Sequence, residues 1–330
     1  MAEALSSVSP TPSRSAVIEV DHGVYRVTHA LPWALDHVHC YAVEGGDGLT
    51  LIDTGLSGKA TLDGWVYALR ELGDRPVAQI LLTHFHPDHI GAAAVLAELT
   101  APGEIVQGAN DLHSAEQAFG DRRDPVGYEA FLLEHGMAPK LASACVDEEM
   151  RVAFPVARPT RIVREGDTLS IGDESFEVLE LPGHADGHIG FLGKESRRLF
   201  AGDVLLNEIT PNVGRWPGSR PDPLREYGDT LARVGDLEPS IVFPGHRGLI
   251  RDAAARSKEI QDHHAARLRL HSAALRGGVR TTWEVTRQIW PGRLTLHEMQ
   301  FALAEAAAHL ARLAAEGDAE EVTPGSWLCA

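Results

Sequence analysis

The segment Thr83-His84-Phe85-His86-Pro87-Asp88-His89 places four candidate metal ligands within six positions, directly after the apolar run Ile80-Leu81-Leu82. Short apolar runs are typical of buried parallel strands, and open α/β sheets place their sites at the carboxyl ends of such strands. Imidazole and carboxylate ligands suit zinc, iron or manganese. Because alternate residues of an extended segment point the same way, His84 and His86 can share one ion, which leaves Asp88 and His89 to face a second. The segment therefore predicts a metal site at the end of a strand.

Three later segments each end an apolar stretch with glycine and then one candidate ligand. They are Leu181-Pro182-Gly183-His184, Phe200-Ala201-Gly202-Asp203 and Phe243-Pro244-Gly245-His246. Glycine at these positions indicates a tight turn at a strand end, where the backbone passes close to a bound ion. A chance cluster on a solvated loop, in a chain with 17 histidines, would not account for this repeated arrangement. The residues predict seven ligand-type side chains delivered by strand ends.

This order of motifs resembles the metallo-β-lactamase superfamily over about residues 17–255. The matching elements are the His-x-His-x-Asp-His signature at His84–His89, the later ligands His184, Asp203 and His246, and a first motif at Leu51–Gly55. The resemblance implies two metal sites: His84, His86 and His184 would hold the first ion, Asp88, His89 and His246 the second, and Asp203 would bridge them. Six terminal ligands and one bridging acid leave a position for a shared hydroxide. Two catalytic residues are expected, Asp88 as a hydrogen-bond acceptor for the nucleophile and Asp53 as the support of a ligand.

The acid at position 203 separates the functional classes that this resemblance allows. Thioesterases of the glyoxalase II type, lactonases and phosphodiesterases carry it, whereas true β-lactamases of the superfamily use cysteine or serine in the neighbouring role. His86 disfavours flavodiiron proteins, which carry an acid there. We therefore expect a hydrolase of a small thioester, ester or lactone, with a hydroxide shared by two zinc ions as nucleophile. Iron or manganese are the alternative metals, and a single-iron sulfur dioxygenase is an alternative activity.

The apolar pattern predicts an α/β fold in which two strand-rich halves carry helices outside. This fits the four-layer αβ/βα sandwich that the resemblance implies. We divide the chain into a disordered tail (1–16), a catalytic domain (17–255) and a helical C-terminal domain (256–330). Within the catalytic domain we expect a strand over 17–27, a turn at 37–40, and helices over 111–150 that either roof the site or form a surface excursion.

The last region is rich in Ala, Arg, Leu and Glu and has no further turn that ends in a ligand. Thr281 and Glu284 form a capping pattern that begins one helix, and a second is predicted over Glu298–Ala315, with Gly317 as its end. Helix, turn, helix and a closing strand resemble the winged-helix tail of lactamase-like endoribonucleases. Because the second helix carries few cations, we expect a structural element or a substrate wall rather than a DNA reader. His263 and His264 are expected to be packing or surface residues.

The formal net charge of −17 bears on partners. Non-specific affinity for nucleic acid is electrostatic, and no block of Lys or Arg dominates any segment, so a nucleic-acid partner is not expected. A phosphodiesterase or endoribonuclease is therefore the alternative class, suggested only by the tail. We expect a small-molecule acyl substrate. The loops at 37–40, 111–150 and 207–223, the last with Asn212, Arg215 and Trp216, are expected to select it.

Composition also predicts the cellular setting. The three cysteines are too few and too scattered for a disulfide framework or a thiolate metal site. No apolar run is long enough to span a membrane, and the N-terminal segment lacks the features of a signal peptide. We therefore expect a cytoplasmic enzyme without a membrane partner. The candidate assembly is a homodimer.

Overall fold

In residues 16–330, which the computed structural model describes, the apolar runs form one sheet of seven strands and one of five. The first contains β1 (Ala16–Asp21), β2 (Val24–Ala30), β3 (His37–Gly45), β4 (Gly48–Ile52), β5 (Val77–Leu81), β6 (Glu104–Gly108) and β7 (Arg161–Val163). The second contains β8 (Thr168–Ile171), β9 (Glu174–Glu180), β10 (Ile189–Gly193), β11 (Arg198–Gly202) and β12 (Ile241–Pro244), in the order β12-β11-β10-β9-β8. Strands β4 to β7 are parallel neighbours, as are β11 and β12, so their carboxyl ends gather at common edges.

Helices cover the outer faces of both sheets. Those of the first half are α1 (Lys59–Glu71), α2 (Pro87–Ile90), α3 (Ala93–Thr100), α4 (Ala109–Ala118), α5 (Pro125–Glu134) and α6 (Pro139–Met150). Those of the second half are α7 (Pro223–Asp236), α8 (Ala253–Ala274), α9 (Thr282–Ile289) and α10 (Leu296–Glu316). Trp65 of α1 packs on the first sheet and Tyr227 of α7 on the second, while Tyr41, Phe200 and Phe243 fill the space between the sheets. These layers confirm the predicted four-layer sandwich.

The C-terminal helices begin and end where their capping residues are. Thr281 with Glu284 and Thr295 with Glu298 form complete capping boxes at the starts of α9 and α10. Gly317, with φ of 84°, ends α10 in the left-handed conformation that favours glycine. Strands β13 (Arg280–Thr281), β15 (Ser326–Cys329) and β14 (Ala319–Thr323) form a small sheet in that order. The winged-helix likeness and the domain boundary at 255/256 stay predictions. Helix α8 begins at Ala253 and therefore runs across that boundary.

Two predicted elements are wrong, and one lies mostly outside the described residues. The segment 17–27 is not a single strand but the hairpin of β1 and β2, which turns at Gly23 with φ of 69°. The segment 37–40 is not a turn but the start of β3, which pairs with β2 from His37 to Val43. His37 and His39 interrupt the apolar pattern there and conceal the strand. The predicted tail, residues 1–16, lies outside the description except for Ala16, which begins β1.

No helix within residues 16–330 combines the length and apolar character needed to cross a bilayer.

Candidate metal centre

All seven predicted ligands lie together where strand ends of the two sheets meet. His84 and His86 follow β5, and Pro87 then begins the short helix α2, which carries Asp88 and His89. The remaining three side chains follow β9, β11 and β12; they are His184, Asp203 and His246. Ligand atoms lie within 4.8 Å of one another in three groups: His84-His86-His184, His84-His89-Asp203 and Asp88-His89-His246.

Asp203 lies between the two predicted metal positions. Its Oδ2 atom is 3.7 Å from His184 Nε2 and 3.2 Å from His246 Nε2, and its Oδ1 atom is 3.4 Å from His89 Nε2. One carboxylate therefore contacts imidazoles assigned to both ions, which is the geometry that a bridging acid requires.

The inward-facing atoms fit divalent cations. His89 Nε2, His184 Nε2, His246 Nε2 and Asp203 Oδ1 are buried and have no hydrogen-bond partner among the described residues. Buried polar atoms without partners are rare, and a bound ion is one of the few ways to satisfy several of them together. Five imidazoles with two carboxylates form a donor set that suits zinc, iron or manganese.

The buried charges make the centre attractive to cations. Burial and the neighbouring imidazoles lower the pKa of His84 well below its usual value, and the same causes lower the pKa of His86 to about 3. Burial opposes ionisation of Asp203, but His246 and His89 hold the pKa of this carboxyl well below its usual range. Burial would also lower the pKa of His246, yet Asp203 and Asp88 raise it to about 10. The acids thus stay anionic in a site largely closed to water.

Hydrogen bonds to the Nδ1 atoms orient three of the imidazoles. His89 Nδ1 donates to Asp53 Oδ2 at 2.8 Å, His246 Nδ1 donates to the carbonyl oxygen of His37 at 2.7 Å, and His184 Nδ1 donates to the carbonyl oxygen of Asn212 at 2.7 Å. Nδ1 is thus the donor in each case and Nε2 faces the centre, where a bound cation would take the place of the proton that Asp203 and Asp88 favour on His246. Asp53 thus lies where the sequence predicted it, behind a ligand.

Glycine before the ligands allows the turns to pass close to the site. Gly183 has φ of 131°, and a Cβ atom there would lie 2.5 Å from Cα of Tyr227. A Cβ atom on Gly245 would lie 2.6 Å from Cε1 of His89 and would also meet the Asp203 carboxylate. A larger residue at either position would displace the chain that carries a ligand.

Sequence reasoning missed two buried residues that support the ligand loops. His188 Nε2 accepts a hydrogen bond from the backbone N–H of Asp203 at 3.1 Å, and its ring stacks on His84 with centroids 4.6 Å apart. Asp111 accepts a hydrogen bond from Gln107 Nε2 at 2.6 Å and is fully buried, and burial raises its pKa to about 7. The repeated Gly-His in Gly183–His188 was a usable signal for His188. Asp111 had none.

Two of the three predicted selectivity loops contact the C-terminal part of the chain. In the 207–223 loop, Trp216 packs against Phe301 of α10, while Arg215 forms an ion pair with Glu321 at 3.6 Å. Arg215 is therefore engaged within the protein. In the 111–150 segment, Leu132, Met137 and Cys145 pack with Leu303 of α10, so this segment joins the sandwich to the C-terminal helices.

Known proteins share these motifs and this architecture. The family model of the metallo-beta-lactamase superfamily matches residues 33–246, and that of the metallo-beta-lactamase-like C-terminal domain matches residues 268–325. The probable metallo-hydrolase YqjP of Bacillus subtilis (strain 168) is 31% identical over 304 residues, which are 90% of this chain and 92% of that protein. The acyl-coenzyme A thioesterase MBLAC2 of Gallus gallus is 28% identical over 191 residues, 56% of this chain and 64% of that protein.

A solved structure agrees with the sequence matches. The crystal structure of a metallo-beta-lactamase family protein from Thermus thermophilus has a TM-score of 0.81 and 32% identity, covering 94% of this chain and 100% of that chain. The predicted resemblance is confirmed: the chain belongs to the metallo-β-lactamase superfamily and is a metallo-hydrolase with His/Asp clusters for metal and a lactamase-like C-terminal domain.

Proposed function

We propose that the protein is a thioester hydrolase that uses two zinc ions and accepts an apolar acyl group. The observation that carries the proposal is the position of Asp203, whose carboxylate contacts imidazoles of both ligand groups. The similarity to an acyl-coenzyme A thioesterase supports the thioester class. Zinc fits a site of imidazoles and carboxylates whose reaction requires no redox change.

The ligand assignment follows the three groups of side chains. His84, His86 and His184 would hold the first ion, Asp88, His89 and His246 the second, and Asp203 both. When bound, the two cations would supply Lewis acidity that lowers the pKa of a water molecule and stabilises negative charge on the substrate carbonyl oxygen.

The protein side chains would handle the proton and the geometry of the reaction. Water adds through its oxygen to the thioester carbonyl carbon, the C–S bond breaks with its electron pair on sulfur, and a proton of the water ends on that sulfur, so that a carboxylic acid and a thiol are released. Burial works against ionisation of Asp88, but His89 and His246 lower its pKa to about 2, so its carboxylate is available to accept a hydrogen bond from the attacking water. Asp53 keeps His89 oriented throughout.

A row of rings near the centre, here called the aromatic rim, supports an apolar acyl group. It consists of Trp33, His297, Phe301, Trp216 and Tyr128, all half-buried. Trp33 stacks on His297 with centroids 5.4 Å apart and planes 3° apart, and Phe301 packs on His297 at 4.5 Å. The carbonyl oxygen of Phe301 accepts a hydrogen bond from the Asn212 side chain at 3.4 Å, and the Asn212 carbonyl accepts one from His184, so the rim adjoins a ligand loop.

Two arginines that follow ligand-bearing or ligand-supporting residues, Arg247 and Arg215, are already paired. Arg247 lies 3.7 Å from Asp36, and Arg215 lies 3.6 Å from Glu321. A phosphodiester chain would need unpaired positive charge to offset the net charge of −17. These pairs support an acyl substrate over a nucleic acid.

The test is a substrate panel assayed with zinc-loaded full-length protein. The panel contains acetyl, butyryl and decanoyl thioesters of coenzyme A and of N-acetylcysteamine, a lactone, a β-lactam, a phosphodiester and single-stranded RNA. We expect thioester turnover that Asp203→Ala and His86→Ala abolish. His263→Ala, which removes an exposed imidazole from α8, is the control and should retain full activity. RNA cleavage without acyl hydrolysis, or a single redox-active iron per chain with persulfide oxidation, would refute the proposal.

The aromatic rim gives a separate prediction about chain length. Replacing Trp33 by alanine removes the ring that stacks on His297 and part of the apolar wall. We expect kcat/KM to fall about tenfold for the decanoyl thioester, equivalent to about 1.4 kcal/mol, and to change little for the acetyl thioester. Equal losses for both substrates would mean that the rim does not contact the acyl chain.

A further inference from the structure

His184 differs from His89 and His246 in the part of the protein that supplies the hydrogen-bond acceptor for its Nδ1 atom. The partners of His89 and His246, Asp53 and the carbonyl of His37, belong to strands or strand ends of the first sheet. His184 donates instead to the carbonyl of Asn212, which lies in the long connection between β11 and α7. The orientation of this ligand therefore depends on what holds that connection.

The connection is held by one stretch of α10. The side-chain amide of Asn212 donates to Glu305 Oε2 at 3.1 Å and to the carbonyl oxygen of Phe301 at 3.4 Å. Three residues later, the backbone N–H of Arg215 donates to the carbonyl oxygen of Ala304 at 2.9 Å. All three acceptors lie within residues 301–305 of the helix. Asn212 is held through its side chain, which leaves its carbonyl oxygen for His184.

Glu305 is itself fixed from the opposite side. Arg267 of α8 lies 3.5 Å from Glu305 Oε1, and the Arg267 guanidinium stacks over the Trp290 ring at 4.1 Å. The side chains of the Arg267–Glu305 pair are 16% and 19% exposed, so the pair is screened from water and its geometry is well defined. A continuous chain of contacts thus leads from α8 through Glu305 and Asn212 to His184.

We propose that Glu305 is a positioning residue for the metal centre, which acts through Asn212 to direct Nε2 of His184 toward the first ion. The inference rests on the two-ion centre of the proposed function and is independent of the substrate. Partners that orient a metal ligand typically change metal affinity by about 10- to 100-fold when they are removed. The C-terminal domain would then be part of the centre rather than an appended module.

The experiment titrates metal-free full-length protein with Co²⁺ and records the visible absorption of the bound ion, with a chromophoric chelator as competitor. For Glu305→Ala we expect about 10- to 100-fold weaker binding of one ion and an altered spectrum, while the other ion binds as in wild type. Glu305→Gln keeps an acceptor oxygen for Asn212 and should restore most of the affinity. Asn212→Ala, which also removes the hydrogen bond to Phe301, should lose at least as much affinity, and the double variant should lose no more than Asn212→Ala alone.

Arg312→Gln is the matched control. Arg312 also lies on α10 and forms an ion pair with Asp222 at the start of α7 at 3.0 Å, but within residues 16–330 no hydrogen bond leads from this pair to a ligand. We expect Arg312→Gln to bind both ions as wild type does. Circular dichroism of each metal-free variant checks folding, and Asn212→Ala carries the test if Glu305→Ala does not fold.

Two results would overturn the inference. One is wild-type affinity and an unchanged spectrum in Glu305→Ala or Asn212→Ala. The other is an equal loss in Arg312→Gln, which would mean that only the docking of α10 matters. Wild-type protein that binds no Co²⁺ would refute the metal centre itself, which is a different outcome from either of these.

Discussion

At the scale of single residues, Asp53 shows how the protein keeps a ligand in place. Its carboxylate accepts three hydrogen bonds, from the backbone N–H and hydroxyl of Thr83 and from His89 Nδ1, each at 2.8 Å. Its backbone has φ of 58°, in the left-handed region that costs a residue other than glycine about 1 kcal/mol or more. The hydrogen bonds offset this strain because they hold the residue at the end of β4.

Asp53→Asn should therefore weaken binding of the second ion. In asparagine an NH2 group replaces one of the two carboxylate oxygens. The NH2 group cannot accept the hydrogen bonds that His89 Nδ1 and Thr83 donate to the Asp53 carboxylate. We expect about 10- to 100-fold weaker affinity for one ion and a parallel fall in activity. The measurement is the zinc content after dialysis against graded chelator concentrations. Asp63→Asn on the exposed face of α1, where Asp63 pairs with Lys59, should change nothing. Undiminished zinc content in Asp53→Asn would show that Asp53 has no such role.

At the scale of elements, the contact between α8 and α10 is built from buried histidines. The rings of His271 and His309 stack with centroids 4.5 Å apart and planes 6° apart, and His264 Nδ1 lies 3.3 Å from His309 Nε2. The Nδ1 atoms of His271 and His309 donate to carbonyl oxygens of their own helices. These contacts bear out the expectation that His264 is a packing residue.

This contact should make folding stability depend on pH. Burial first, and then neighbouring imidazoles and Arg267, lower the pKa of His264 and His309 to about 3, and burial and Arg267 lower that of His271 to about 4. The unfolded chain, with histidine pKa about 6.5, binds more protons below that pH. The stabilisation is complete above pH 6.5 and is lost as pH falls toward the folded pKa values, by about 1.4 kcal/mol per pH unit for each group.

The check is the free energy of unfolding between pH 7 and pH 4.5 for metal-free wild type and His309→Leu. We expect a shallower slope in the variant, because the metal-site histidines are common to both proteins and their contributions cancel in the difference. His263→Ala, an exposed neighbour on α8, should keep the wild-type slope. Identical slopes for wild type and His309→Leu would contradict the expectation.

At the scale of the whole molecule, α10 unites the sandwich with the C-terminal helices. Leu303 is fully buried and packs with Leu132, Met137 and Cys145 of the 111–150 segment, while the same helix holds the Asn212 connection. The buried apolar side chains of this helix thus contact both parts of the protein. The helices of the 111–150 segment thus connect the sandwich to the C-terminal helices through this packing.

Leu303→Ala should destabilise the whole protein by about 2–5 kcal/mol, because a buried leucine leaves a cavity between two packed elements. Chemical denaturation at neutral pH measures the change. Leu270→Ala on α8 is the matched control, since Leu270 is 53% exposed and its loss should cost less than about 0.5 kcal/mol. A Leu303→Ala change as small as that of the control would mean that the two parts fold independently.

The sequence by itself determined which side chains meet at the centre. A ligand type after a buried strand, with glycine before it, is a local signal, and three of the seven positions carried it. The start of α9 was equally local, since the Thr281 cap depends on a side chain three residues away. The same pattern at Thr295 was missed, and α10 begins at Leu296 rather than at Glu298. The start of strand β3 was missed because His37 and His39 are polar residue types that do not indicate a strand.

Only the tertiary structure decided how the ligands are held. The hydrogen-bond acceptors for His246 and His184 are backbone carbonyl oxygens. Because every residue has such a carbonyl, the sequence does not indicate which residue accepts the hydrogen bond. The partners are also distant along the chain: His246 and His37 are 209 positions apart, and Asn212 and Glu305 are 93. Such contacts form only when the sheets and the C-terminal helices pack, because packing alone brings these atoms within hydrogen-bond distance.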